Sequence, residues 1–399
     1  MIKYFKEQSV FSYRLLLFYT RGDDMFQKYN ALAIIVICTM FLFVSCSKSD
    51  TELKDIQRAD YLVSYSNAMK KGGYMYAYDK KGNEISKIEL DGQSMMSNAK
   101  DEKGYYFSSS RNNNHYAIDK TGKIRELNRP KQLQNINAGA YFIHAEQGYV
   151  YYDVNIGLVD EKKGYTSELV FWKDSDKRQE SVELKGTIQG AHIIENHIYA
   201  FSQTLDEIYI SEIDLATNKK TNEFEISNEN VYFAPTTQKI IFQKYKDKLL
   251  LALSDNVNQK LPAKLMMINP KTRVVEKEKV LDDENIILVL VQVIDNKVYI
   301  LGDDEKIKEL DENLNVTRAY SLKSDENTKI AIEDKEISDM QVHDYKLYIL
   351  YKDMNSKGKT KQRVAEIEGY NLLTGASIEK TTLKLDKKWD DITFLVLKE

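Results

Sequence analysis

The chain has 399 residues, of which 42% are hydrophobic and 30% are charged, and its formal net charge at pH 7 is -4. This composition excludes a disordered chain, and the lack of a basic excess argues against a nucleic-acid-binding surface. Only 4 residues are Pro whereas 27 are Tyr. Such a bias is typical of strands whose aromatic rings pack on a sheet while the hydroxyl reaches water.

The N-terminal region contains a predicted export signal. Residues 31–44 form an apolar run that only Thr39 interrupts. This run is too short for an ordinary membrane span and is typical of a signal-peptide core. Residues 1–24 carry charges that do not fit such a signal, whereas Met25 makes an ordinary start. We therefore interpret residues 1–24 as an upstream extension from a mis-assigned start codon.

The apolar run ends at Ser45 and Cys46, and a polar stretch follows. This arrangement resembles the lipobox of bacterial lipoproteins. The resemblance implies that residues 25–45 are the signal peptide and that Cys46 is the lipid-modified mature N-terminus, carrying acyl chains such as palmitate. It also implies an extracytoplasmic protein anchored to the bacterial cell membrane, or to the outer membrane in a diderm source. An uncleaved anchor or a plain secretion signal is the alternative, and residues 46–60 are predicted to form a polar tether.

One short pattern recurs through the rest of the chain. Its clearest copy is residues 344–350, and weaker copies share an apolar run that follows a turn residue. Positions equivalent to Tyr348 recur at intervals of about 44 to 51 residues: Leu62, Tyr106, Val150, Tyr199, Leu250, Tyr299 and Tyr348. A period of this length built from short β-branched and aromatic runs is typical of radial or stacked β architectures. The Asn, Asp or Gly before each run favours a tight turn, so each run is predicted to be the second arm of a hairpin.

A second signal follows each of these strands. Six further short runs end in an acidic or amide turn, at Asp79, Asp119, Asp214, Asn269, Asp311 and Asn371. The side chains of Asp and Asn accept hydrogen bonds from backbone groups two residues on, which favours a turn at each place. Four strands per repeat are therefore predicted.

The two ends of this region complement each other. The first repeat begins at residue 61 without a preceding strand, whereas residues 392–397 supply one strand too many. The sequence therefore predicts an all-β fold for residues 61–399: a seven-bladed β-propeller of four-stranded blades, closed by the C-terminal strand joining the first blade. The turn at residues 119–123 resembles the repeats of exported bacterial propellers of the quinoprotein-like and lactonase-like kinds.

Three of the five histidines fall on predicted innermost strands: His144, His192 and His343. Counted from the repeat markers, His192 is predicted on the opposite strand face from the other two. A shared metal or acid-base site is therefore not predicted, and we expect no catalytic residue, metal or cofactor.

Loops that join the strands hold the candidate binding residues, because exposed arginines and aromatic residues concentrate affinity at interfaces. Longer insertions, such as residues 153–167, are predicted to be exposed loops at the blade ends. The candidates are Arg111, Asn113, Arg129, Tyr232, Phe233 and Trp389.

These features predict a monomeric, membrane-tethered module that binds a protein, a peptide or a glycan without catalysis. Two alternatives stay open: a channel-site enzyme of the lactonase or lyase type, and an assembly factor for envelope proteins. Histidines and carboxylates that converge within roughly 4 Å in the channel would favour the enzyme. An exposed aromatic patch at one mouth would favour binding.

The lipobox generates the first testable prediction. Replacing Cys46 with Ala removes the sulfur that would carry lipid, so the variant should leave the detergent phase in a phase-partition assay and lose fatty-acid labelling. A Cys38→Ala variant, altered inside the signal segment, is the matched control and should partition like the wild type. Unchanged partition and labelling of Cys46→Ala would refute the anchor.

Overall fold

The computed structural model describes residues 52–127, 129–160, 164–173, 178–204, 207–226, 241–254, 261–281, 288–323, 335–353, 363–385 and 391–398. These residues contain 28 strands and two short 3-10 helices, at Ile56–Arg58 and Lys131–Leu133. The first fourteen strands are β1 (Tyr61–Ser66), β2 (Gly73–Tyr78), β3 (Glu84–Leu90), β4 (Ser97–Lys100), β5 (Gly104–Ser108), β6 (Tyr116–Asp119), β7 (Ile124–Glu126), β8 (Ile143–Glu146), β9 (Tyr149–Asp160), β10 (Gly164–Lys173), β11 (Glu180–Lys185), β12 (Thr187–Ile194), β13 (His197–Gln203) and β14 (Ile208–Asp214).

The second half of the chain repeats the same pattern of short antiparallel strands. These strands are β15 (Lys219–Ile226), β16 (Phe242–Tyr245), β17 (Lys248–Leu253), β18 (Lys264–Asn269), β19 (Val274–Val280), β20 (Leu288–Ile294), β21 (Lys297–Gly302), β22 (Lys306–Leu310), β23 (Val316–Ser321), β24 (Lys335–His343), β25 (Lys346–Asp353), β26 (Arg363–Asn371), β27 (Ser377–Leu385) and β28 (Asp391–Val396).

The strands form seven four-stranded antiparallel sheets arranged in a ring, which is a seven-bladed β-propeller. Six sheets use four consecutive strands, beginning at β4, β8, β12, β16, β20 and β24, and the seventh has the order β28-β1-β2-β3. The first strand of each sheet is innermost, and neighbouring innermost strands such as β4 and β8, or β24 and β28, contact each other. The predicted fold class, blade number and strand count per blade are confirmed.

The C-terminal strand closes the ring as predicted. β28 pairs with β1 in antiparallel register, with Leu395 opposite Leu62 and Phe394 opposite Val63. Phe394 is fully buried. Because an unpaired sheet edge leaves backbone groups without partners, this pairing removes the edge that blade 1 would otherwise expose.

Side chains from neighbouring blades bond the remaining free edge of β28. Asp339 Oδ2 accepts the backbone N–H of Phe394 at 3.1 Å, and Gln341 Oε1 accepts that of Val396 at 3.1 Å. The Asn98 side-chain amide donates to the Phe394 carbonyl at 2.8 Å. Blades 7 and 2 therefore hold the closing strand from both sides.

Side chains of neighbouring elements also bond other innermost strands. A hydroxyl, a carboxylate or an imidazole of one blade reaches the backbone of the next, which matters because an unpaired buried backbone group costs free energy. The contacts are Ile143 N to Ser97 Oγ at 3.0 Å, Ile193 N to Glu146 Oε2 at 3.0 Å, His192 Nε2 to the Phe242 carbonyl at 2.9 Å, and Leu288 N to Ser254 Oγ at 3.0 Å.

The six predicted acidic or amide turns are confirmed with their expected mechanism. In each turn the Oδ1 atom accepts the backbone N–H two residues on. The pairs are Asp79 with Lys81, Asp119 with Thr121, Asp214 with Ala216, Asn269 with Lys271, Asp311 with Asn313 and Asn371 with Leu373, at 2.6 to 3.0 Å.

The predicted loop at residues 153–167 is instead the far part of a β-hairpin. β9 continues to Asp160, and its register with β10 shifts near Thr166, where Gly157 has a φ of 88°. Because Gly tolerates this left-handed backbone, the pairing can bend without ending. The prediction failed because polar residues and Gly were interpreted as loop signals. The apolar residues Val154, Ile156 and Leu158 nevertheless recur at every second position, as they do in a strand.

The predicted polar tether over residues 46–60 is too long. Leu53, Ile56 and Ala59 are 0%, 2% and 1% exposed and belong to a core cluster with Leu62 and Leu395. The backbone N–H of Leu53 also donates to the Gly122 carbonyl at 2.9 Å. These three apolar residues recur at every third position, which was a visible signal of burial in the sequence. The charged residues around them made the segment look like a polar tether.

Replacing Leu53 with Ala should therefore destabilise the propeller by about 2–5 kcal/mol, because a buried Leu leaves a cavity when it is truncated. Chemical denaturation measures the free energy of unfolding. Met69→Ala is the control, because Met69 is 82% exposed and its truncation should have little effect. A wild-type unfolding curve for Leu53→Ala would show that this segment does not contribute to the core.

Candidate functional site

The seven innermost strands surround a central cavity of about 280 Å³. Each innermost strand contributes one residue at an equivalent position, which pairs with a residue on the second strand of its blade. These residues are Asn98, His144, His192, Gln243, Gln292, Gln341 and Leu395. Their partners on the second strands are, in the same order, Phe107, Tyr151, Tyr199, Leu250, Tyr299, Tyr348 and Leu62. The ring is thus one amide of Asn, two imidazoles, three amides of Gln and one apolar side chain.

His144 and His192 occupy equivalent positions, so their predicted separation on opposite strand faces is wrong. His144 pairs with Tyr151 and His192 pairs with Tyr199. The true equivalent of Tyr199 in blade 3 is therefore Tyr151, one residue beyond the marker assigned from sequence at Val150. The two imidazole centroids lie 5.1 Å apart.

Glu146 joins these two histidines into a cluster. Its Oε2 atom lies 3.2 Å from His192 Nδ1 and 3.8 Å from His144 Nε2. Its Oε1 atom accepts from Lys244 Nζ at 2.9 Å. Sequence reasoning missed Glu146, although it stands two residues after His144 and therefore on the same strand face.

Several groups fix the Glu146 carboxylate in place. Oε2 also lies within 3.0 Å of the Ile193 backbone N–H and of the Tyr151 hydroxyl. Burial alone would raise the pKa of Glu146, but the hydrogen bond and charge of His192, together with His144 and Lys244, hold that pKa well below its ordinary value. The carboxylate is therefore an anchored anion near neutral pH.

His343 lies outside this cluster. It lies on blade 7, whereas the cluster lies on blades 3 and 4. Its Nε2 atom is 3.4 Å from Gln341 Oε1. In the described ranges, His144, Glu146 and His192 are the one group of three or more histidines and carboxylates whose ligand atoms all lie within 4.8 Å of one another.

The cavity wall divides into two arcs. On blades 7, 1 and 2 the polar groups of Gln341 and Asn98 bond each other and β28. On blades 4 to 6 the amides of Gln189 and Gln243 bond no described protein group, and Gln292 reaches only the Val293 carbonyl at 3.5 Å. The second arc therefore presents amide donors and acceptors to the cavity.

The rest of the lining is mostly apolar. Phe142, Phe242, Met340 and Leu395 line the same space. Lys100 is the one Lys or Arg in the described lining, and its Nζ donates to the Val396 carbonyl at 3.2 Å. Among the lining residues described there is no carboxylate. The cavity is thus lined by amides, imidazoles and one lysine, together with buried apolar side chains.

The predicted binding residues that the structure describes do not line this cavity. Arg111 is exposed and Asn113 is half-buried, both on the connection between β5 and β6. Arg129 is 6% exposed, which corrects its prediction as an exposed recognition residue. Tyr232, Phe233 and Trp389 lie outside the described residues, as do Cys46 and residues 1–51.

The fold and cavity define a seven-bladed β-propeller with a polar central pocket. No helix among the described residues has both the length and the apolar character needed to cross a membrane. No protein-family model matches the sequence, and no curated protein matches it either.

Three solved structures align with this chain at low identity. The β-propeller domain of Myceliophteria thermophila Cps50 (Swd1) is 8% identical, with a TM-score of 0.49 over 76% of this chain and 89% of that one. The WD40 propeller domain of Doa1 is 9% identical, with a TM-score of 0.45 over 76% and 90%. Apo AztD from Citrobacter koseri is 9% identical, with a TM-score of 0.43 over 84% and 98%.

Arg129 has a structural place between blades 2 and 3. Its Nη1 donates to the Ile136 carbonyl at 2.8 Å, and its Nη2 lies 2.9 Å from His115 Nε2. Nearby, fully buried Asp153 accepts the backbone N–H groups of Tyr141 at 2.6 Å and Phe142 at 2.8 Å. Burial raises the pKa of Asp153 from 3.8 to about 7, although these hydrogen bonds and the Arg129 charge oppose the rise.

This buried carboxyl predicts a pH dependence of stability. The unfolded chain loses the Asp153 proton near its ordinary pKa, whereas the folded chain keeps it to about pH 7. The folded state therefore binds more protons between about pH 4 and 7, so the free energy of unfolding should fall as pH rises through this window, by roughly 3 kcal/mol.

Asp153→Asn is the matched variant, because an amide keeps the acceptor oxygen for Tyr141 and Phe142 but cannot ionise. Its stability relative to the wild type should improve steadily from pH 4.5 to pH 8, as measured by denaturant unfolding. Parallel pH profiles for the two proteins would contradict the raised pKa.

Proposed function

We propose that this protein is a lipid-anchored, extracytoplasmic binding propeller that takes the neutral end of a glycan into its central cavity. The anchor and the cellular address rest on the lipobox-like sequence at Cys46. The proposed ligand site rests on one observation. The side-chain amides of Gln189, Gln243 and Gln292 line the central cavity on blades 4 to 6.

The size of the cavity supports a small recognised group. Its volume of about 280 Å³ is at the lower end of ligand pockets, which run from roughly 300 to 1,000 Å³. A pocket of this size holds one terminal sugar unit rather than an extended chain. The rest of the ligand would then extend out of the channel.

The chemistry of the lining favours a sugar over a peptide end. Each amide offers both a donor and an acceptor, which matches pairs of hydroxyl groups. Phe142 and Phe242 border the same cavity, but they are only 3% and 2% exposed, so the amides supply the main contacts for a sugar. A charged peptide terminus would need an opposite charge to compensate for its desolvation, and the described lining offers no carboxylate and one lysine that already bonds Val396.

A channel-site enzyme is a second candidate. It is favoured because nitrogens of both His144 and His192 lie within 3.8 Å of the Glu146 Oε2 atom. Against acid-base catalysis by this carboxylate stands its lowered pKa. A general base works best with a pKa near the working pH, and a strongly anchored anion is a poor one. The unengaged groups of the described lining are neutral amides, which bind rather than transfer protons.

The test uses the full chain, purified in detergent, and a panel of neutral oligosaccharides. Isothermal titration should find a neutral sugar that binds with one site per chain. Gln243→Ala and Gln292→Ala should each weaken that binding by roughly 2- to 13-fold, because each removes hydrogen bonds worth about 0.5–1.5 kcal/mol.

Gln132→Ala is the matched control, because Gln132 is an exposed amide that bonds Ser181 outside the cavity. It should bind the sugar like the wild type. Binding of peptides but of no sugar would overturn the proposed ligand class, and turnover of a bound sugar would establish the enzyme reading instead.

A further inference from the structure

We propose that His144, Glu146 and His192 form a binding site for Zn²⁺ in the wall of the central cavity. Each residue offers one donor atom, and the three donor atoms lie within 4.8 Å of one another. The nitrogens nearest to Glu146 Oε2 are His192 Nδ1 and His144 Nε2. Two histidines and one glutamate are a donor set that catalytic zinc sites use, with a fourth position left open. This site is independent of the proposed sugar ligand.

The spacing of the donors fits the ion. Zinc bonds to imidazole nitrogen and carboxylate oxygen are about 2.0–2.2 Å long, so tetrahedral ligand atoms lie roughly 3.3–3.6 Å apart. The two distances from Glu146 Oε2 to the histidine nitrogens are 3.2 and 3.8 Å. These two distances lie within a few tenths of an ångström of that range, and the remaining separation, between the two histidine nitrogens, is at most 4.8 Å.

The hydrogen bonds of His192 point to a cation between the donors. Its Nε2 faces the Phe242 carbonyl at 2.9 Å and its Nδ1 faces Glu146 Oε2 at 3.2 Å. Both partners are acceptors, whereas a neutral imidazole carries a single N–H. A second proton on Nδ1 satisfies both partners, and so does a metal cation bound between Nδ1 and Glu146 Oε2 when the hydrogen is on Nε2. Ligating histidines typically donate their other N–H to a backbone carbonyl in this way.

The surroundings of Glu146 leave one lone pair for the ion. Lys244 bonds Oε1, and the Ile193 N–H takes one position on Oε2. The Tyr151 hydroxyl has a second acceptor, the Ala191 carbonyl at 3.0 Å, to which its proton can turn when Oε2 binds metal.

The fourth coordination position would face the cavity. His144 and His192 both line it, and the His144 side chain is 40% exposed. An ion there has access from the channel, and a water or a hydroxyl group from a cavity ligand completes the shell. The site would therefore add a Lewis-acidic point to an otherwise neutral wall.

Titration of metal-free full-length protein with ZnCl₂ should show one site per chain. His144→Ala should weaken Zn²⁺ binding at least roughly tenfold, the cost of losing even an outer-shell partner of a zinc ligand. His192→Ala should do the same. Co²⁺ in place of Zn²⁺ should give the intense visible absorption of a tetrahedral site in the wild type and lose it in both variants.

His343→Ala is the matched control, because His343 lines the same cavity outside the cluster. It should bind Zn²⁺ like the wild type. Thermal unfolding without metal identifies any variant that fails to fold. His144→Ala is expected to stay folded, because the His144 side chain is 40% exposed whereas that of His192 is 11% exposed.

Equal affinity in the wild type and in a folded His144→Ala variant would overturn the site, as would the absence of Zn²⁺ binding to the wild type. In that case a proton alone bridges His192 and Glu146. Sugar binding with Zn²⁺ chelated tests the proposed function separately, because Gln243 and Gln292 are not zinc donors.

Discussion

The hydrogen bonding of the innermost strands around the channel is the constraint on which this structure depends. Each blade pairs its innermost strand on one side only, so the other edge faces the centre of the ring with unpaired backbone groups. Side chains from the neighbouring blade satisfy these groups, as Asp339 and Gln341 do for β28 and as Glu146 does for Ile193. The blades are therefore joined by directional bonds at the centre as well as by apolar packing between sheets.

This arrangement explains why the central wall carries so many polar side chains. A side chain that reaches a strand edge must end in a donor or an acceptor, so Asn, Gln, His and Glu are selected at these positions. On blades 7, 1 and 2 the Gln341 and Asn98 side chains bond each other and the β28 backbone. On blades 4 to 6 the amides of Gln189, Gln243 and Gln292 line the cavity.

The same bonds connect stability with the candidate sites. His192 bonds the backbone of blade 5 through Nε2 and points Nδ1 at Glu146, while Glu146 bonds the backbone of blade 4. The cluster is thus held rigidly by groups that also assemble the ring. Rigid placement of ligand atoms by surrounding hydrogen bonds is the condition under which a metal or a small polar ligand binds with little reorganisation. A binding event in the cavity would consequently stabilise the contacts among blades 3, 4 and 5.

The sequence by itself determined the architecture, because its signals are local. The recurring apolar runs, the Asp and Asn turns and the surplus strand at residues 392–397 all reflect hydrogen bonds or pairings within one blade. Local turn chemistry and a period of two residues are enough to count strands and blades. The same reasoning predicted the innermost placement of His144, His192 and His343, which the structure confirms.

Only the tertiary structure decided which of these residues meet. A one-residue shift in the strand register moves a side chain to the other face, and the marker at Val150 was one residue away from the position that pairs with His144. The burial of Leu53 and Arg129 was likewise hidden, because it depends on neighbours from other parts of the chain. Glu146, Lys244 and His192 come from three different blades. Contacts between blades leave no periodic trace in the sequence, and so the cavity and its cluster appear only when the ring is closed.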